Sequence, residues 1–119
     1  MREYPKSLCA DTLSDFLKTH PFSIIHLDAK WNAVGFMFQD RINEIAKNYS
    51  SSVGFGFIDV DANQDLAISL EVRNVPCCAY YSGTERLISI IGLNQDLENN
   101  LSVLISGNTP DENARVDLE

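Results

Sequence analysis

Two apolar runs of strand type, FSIIHLDA (22–29) and VGFGFIDVD (53–61), flank one long stretch with helical periodicity. In that stretch Val34, Phe38, Ile42, Ile45 and Tyr49 recur every three or four residues, while Asp40, Arg41, Asn43 and Lys47 fall on the opposite side. A strand, an amphipathic helix and a second strand joined in this way close as a parallel pair with a right-handed crossover. The first run is β-branched and apolar almost throughout, which suits a strand covered on both faces. In the second, Phe55 and Phe57 alternate with Gly54, Gly56 and Ile58, so a neighbour is expected to pack closely against the glycine side.

The rest of the chain extends this unit. DTLSDFLKTH (11–20) places Leu13, Phe16 and Leu17 on one face of a short helix, with Asp11 or Thr12 as its cap, and His20-Pro21 stops it. DANQDLAISLEVRN (61–74) reads as another helix. VPCCAYYSGTERLISIIG (75–92) reads as two strands turning at Ser82-Gly83-Thr84. NQDLENNLSVLIS (94–106) carries Leu97, Leu101, Leu104 and Ile105 on one side of a last helix, with Gly107 placed to end it. The expected architecture is α/β: one domain over residues 1–107, with a mixed central sheet of four to five strands and helices on both faces. Residues 108–119 show no periodicity and are acidic, so they are expected to form a disordered tail, whose final Leu118-Glu119 also reads as a cloning scar.

Composition removes several function classes. With 17 acidic and 9 basic residues the formal net charge is −8, and no basic stripe is present, so a nucleic-acid partner is not expected. No apolar run approaches the roughly 20 residues that span a bilayer, and the amino terminus lacks the apolar core of a secretory signal. The three cysteines, Cys9, Cys77 and Cys78, are too few and odd in number for a disulfide scaffold. His20 and His26 do not complete a metal-ligand spacing. The expectation is a reduced, cytoplasmic protein, a monomer or weak dimer, with neither metal nor cofactor.

Three landmarks in register resemble the thioredoxin family over about residues 7–106. DAKWNAVGF (28–36) is similar to the family's strand-to-helix junction, where a tryptophan directly precedes the Cys-x-x-Cys pair. FIDVDANQDLAISLEVRNVP (57–76) resembles the run from the middle strand to the family's cis-proline. NVPCCAYYSGTERLISIIG (74–92) resembles the strand opened by that proline, its hairpin and the following glycine. The resemblance implies a thioredoxin-like fold, a cis bond before Pro76, and a Val75 backbone that pairs with an extended peptide.

The same resemblance implies that the chemistry has been lost. Asn32 and Gly35 stand where the two cysteines belong, around Ala33 and Val34, and neither can attack or resolve a disulfide. His26 falls at the family's buried acidic position and Phe57 at its lysine partner. Asp28 replaces an aromatic, and Asp40 the helix-kinking proline. The leading expectation is a redox-inactive, protein- or peptide-binding or adaptor domain in redox homeostasis or a chaperone-like pathway. Its partner would dock on an apolar patch of Trp31, Val34, Phe36, Val75 and Pro76. The alternative is a thiol oxidoreductase or redox sensor using Cys77, which follows Pro76 and would gain reactivity beside a helix N-terminus. Cys78 is expected in the core by strand alternation, and Cys9 has no evident partner. His26 reads as a core residue, not expected to pair with Asp28 although the two share a strand face.

Overall fold

The computed structural model describes residues 6–29, 33–49 and 52–116, the side chains of 33–37 excepted. In chain order the elements are β1 (Lys6–Leu8), α1 (Ala10–Lys18), β2 (Phe22–Asp28), α2 (Ala33–Tyr49), β3 (Val53–Asp59), α3 (Gln64–Ser69), β4 (Cys77–Ser82), β5 (Glu85–Ile91) and α4 (Leu97–Ile105). They form one five-stranded sheet ordered β1-β3-β2-β4-β5. β1, β3 and β2 run parallel, and β4 and β5 antiparallel. The β2–α2–β3 unit is the parallel pair that the sequence demanded.

Strand alternation divides the core into two layers. Ile24, Phe55, Cys78, Tyr80 and Ile90 face α2 and α4, meeting Phe38, Ile42, Leu101 and Leu104. Ile25, Leu27, Ile58, Cys77, Ala79 and Tyr81 face the other way, against Leu13, Phe16 and Leu17 of α1. The glycine side of β3 is as close-packed as expected. A Cβ on Gly54 would stand 2.7 Å from the His20 ring, and one on Gly56 would stand 2.5 Å from Leu8.

Four expectations are corrected. β1 lies ahead of the first helix and was not expected, because three residues carry too little pattern; it forms by pairing with Gly56–Ile58 of β3. Helix α1 is capped by Cys9 instead of Asp11 or Thr12, with the Cys9 N–H donating to Thr12 Oγ1 at 2.9 Å. Helix α3 is six residues long, far shorter than the stretch 61–74. Glu71 ends its run in the left-handed region at φ 58°, and Arg86 reaches over from β5 to donate to the Leu70 carbonyl and the Glu71 carboxylate.

The fourth concerns the tail. Within residues 108–116 Pro110 is buried, Ala114 N–H bonds to the Asp111 carbonyl, and Arg115 pairs with Gln95 as an antiparallel bridge. Pattern alone could not show this order, because the partners lie about twenty residues back in the chain.

Candidate functional site

The strand register sets where the site forms. Leu27 and Asp28 of β2 lie beside Ile58 and Asp59 of β3, and Cys77, the first residue of β4, lies opposite Leu27. The Val75-Pro76 bond, which is cis, therefore sits at the end of the sheet from which α2 departs. Gly92 closes the same end by donating its N–H to the Pro76 carbonyl at 2.9 Å. Pro76 is buried and Val75 half-buried. Among the described residues, neither backbone group of Val75 has a hydrogen-bond partner.

Of the other site residues expected from sequence, Trp31 and Asn32 lie outside the described residues. Ala33, Val34, Gly35 and Phe36 contribute the backbone of the first turns of α2, and their side chains lie outside the described part of the structure.

Beneath that helix, His26 and Asp28 do meet, against expectation. Both are 1% exposed. His26 Nε2 is 3.3 Å from Asp28 Oδ2, and Nδ1 is 3.2 Å from Gln39 Oε1. Asp28 Oδ1 also accepts the Ala29 N–H at 2.8 Å. The imidazole is held edge-on to Phe38 and Phe57, with centroids at 4.9 and 5.3 Å. Such a set fixes the orientation of the imidazole in the interior. Among the described residues, however, no hydroxyl or thiol is hydrogen-bonded to the ring. The i, i+2 spacing was the available signal for the pair. Gln39 carried none, because it comes from α2.

The thiols separate by environment. Cys77 is 1% exposed and sits in the α1-side layer, on the opposite face of the sheet from α2. Burial pushes its thiol up from 9.0 to about 11, with Arg86 partly opposing the shift. Cys78 faces α2 and is pushed well up by burial and by its neighbour Cys77. Cys9 is half-buried, and its thiol is lowered by hydrogen bonding to Thr12. The expected result of alkylation at neutral pH follows: Cys9 labels first, and Cys77 at least ~100-fold more slowly, since a thiol near 11 is ~10⁻⁴ ionised at pH 7. Peptide mass spectrometry after timed labelling reads the ratio, and faster labelling of Cys77 would contradict this assignment.

The family model described as Thioredoxin matches residues 6–103. The chain belongs to the thioredoxin family. Solved structures agree on the thioredoxin fold. A mutant thioredoxin from Halobacterium salinarum NRC-1 superposes with a TM-score of 0.77 at 24% identity, over 88% of this chain and 91% of that one. Oxidized mitochondrial thioredoxin 3 from Saccharomyces cerevisiae gives 0.69 at 24% identity, over 75% and 84%. A designed protein gives 0.72 at 16% identity, over 87% and 90%. Comparison with curated proteins gives no match. Membership of the thioredoxin family fits a redox-related role. Among the described residues, no helix is long and apolar enough to cross a membrane.

Proposed function

We propose that this thioredoxin-family domain binds an extended protein or peptide segment at the Val75-Pro76 edge and does not perform dithiol exchange. One observation carries the reading: among the described residues, the Val75 backbone groups are unpaired at the end of the sheet, and such groups accept an added strand. Asn32 and Gly35 occupy the cysteine positions of the family motif. The thiol nearest in sequence to the cis bond, Cys77, is buried on the opposite face and held protonated at neutral pH. Together these features favour binding over the chemistry of a Cys77-based oxidoreductase or sensor. Trp31, Val34 and Phe36 would extend the docking surface. The partner is a protein or peptide and not a nucleic acid or membrane, and the domain itself is a monomer or weak dimer. Three free cysteines suit a reducing, cytoplasmic setting.

A disulfide-reduction assay tests the first half. The chain and its Cys77→Ser variant are both expected to give only the background rate; Cys77-dependent turnover would overturn the reading. Extended peptides selected by display test the second half. They should lose at least tenfold in affinity on Phe36→Lys, and unchanged affinity would remove Phe36 from the surface.

A further inference from the structure

Residues 108–116 lie beyond the stretch 6–103 that matches the family, yet Ala114, Arg115 and Val116 are seated at the same end of the sheet as Val75-Pro76. Arg115 Nη1 donates to the Ile91 carbonyl at 2.9 Å and to Asn94 Oδ1 at 3.4 Å. Val116 N–H bonds to the Asn94 carbonyl at 2.7 Å, and Asp96 N–H to the Ala114 carbonyl at 3.2 Å. Arg115 thus stands in strand register with Gln95, which is itself fixed by side-chain bonds to Ile90 and Gly92. Gly92 makes the room: at φ 119° it bears no side chain, and a Cβ there would stand 2.9 Å from Arg115 Nη1.

Charge favours the same occupant. A groove of about 380 Å³ beside Val116 is lined by Glu44, Asp96 and Glu98, together with Arg41. Arg41 is turned onto the Leu93 and Gln95 carbonyls. The molecule as a whole carries −8. A guanidinium on an extended backbone is therefore matched to the seat by the Ile91 carbonyl and Asn94 Oδ1 acceptors, on a molecule whose overall charge favours a basic partner. The seat is continuous with the candidate docking edge through the Gly92–Pro76 hydrogen bond.

We propose that the loop Ile91–Asp96 is a docking seat for an extended, arginine-bearing peptide segment of a partner, and that residues 114–116 occupy it in cis as a competing pseudo-ligand. The proposal rests on the peptide-binding reading only for the continuation of the partner onto Val75. A tethered segment competes at an effective concentration on the order of millimolar, so a partner must outcompete the tail or find it loosened.

The test uses the full chain and its Arg115→Gln variant. The probe is a peptide of the sequence of residues 108–116 (NTPDENARV), added at several times the ~millimolar tether concentration and followed by amide chemical shifts. Arg115→Gln should lose hydrogen-exchange protection at Val116 and bind the peptide at least tenfold tighter than the unaltered chain. Shifts should be centred on Ile91–Asp96. The same peptide with glutamine for its arginine should not bind. Equal binding to both proteins, equal binding of the glutamine peptide, shifts elsewhere, or no shifts would each overturn the proposal. The seat is read at Ile91–Asp96 with this probe and the Val75 edge by the display peptides with Phe36→Lys, so the two failures are distinguishable.

Discussion

Between pH 9 and 11 the domain is expected to lose stability steeply, with its urea midpoint falling throughout that window. Four acids on β4 are held protonated. Cys77 is pushed by burial from 9.0 to about 11, Cys78 and Tyr80 are pushed well up by burial, and Tyr81 is also raised by burial. In the unfolded chain these groups ionise at ordinary values, so above pH 9 the folded state binds more protons than the unfolded state. Stability then falls with rising pH. The contribution is fully present below the unfolded values and is lost as pH passes through the folded ones. Cys77 alone accounts for roughly 2–3 kcal/mol, at about 1.4 kcal/mol per pKa unit. Cys77→Ala should make the decline shallower by about that amount. Urea titrations at several pH values decide the matter, and a midpoint unchanged from pH 8 to 10.5 would show that the β4 interior ionises without penalty.

Phe38→Ala is expected to destabilise the domain by about 3–5 kcal/mol. Phe38 is fully buried in the layer between α2 and the sheet. Its ring also stands against His26 at 4.9 Å, and Arg41 lies 5.6 Å from its centroid. Removing the ring empties packed volume and opens a path for water to the buried His26–Asp28 pair. Against a typical total of about 5–15 kcal/mol, the loss should appear as a Tm drop on the order of 10–20 °C. Ile68→Ala on α3, where the residue is 73% exposed, should stay within about 0.5 kcal/mol. A Phe38→Ala melting curve no lower than that of Ile68→Ala would refute the packing argument.

Much of the framework was legible because it depends on near neighbours in the chain. The period of Phe38, Ile42 and Ile45, the alternation of Phe55 and Phe57 with glycines, and the turn at Gly83 each act within a few residues. Together they leave one economical arrangement, a parallel pair followed by a hairpin. Where local signals were thin, pattern fell short. β1 exists through pairing with β3, and α3 stops early because an arginine from β5 takes up the end of its run.

The candidate site was legible only as a set of positions. Sequence alone determined that Asn32 and Gly35 hold no sulfur, that a proline follows Val75, and that the chain is acidic. Tertiary structure decided what those positions face. It put Cys77 in the layer under α1, away from α2, closed His26 onto both Asp28 and Gln39, and brought Arg115 back over Gly92. The physical reason is separation along the chain. The partners of Arg115 and Gln39 lie 13 to 24 residues away, so their meeting depends on sheet register and helix placement, which no short window of sequence encodes.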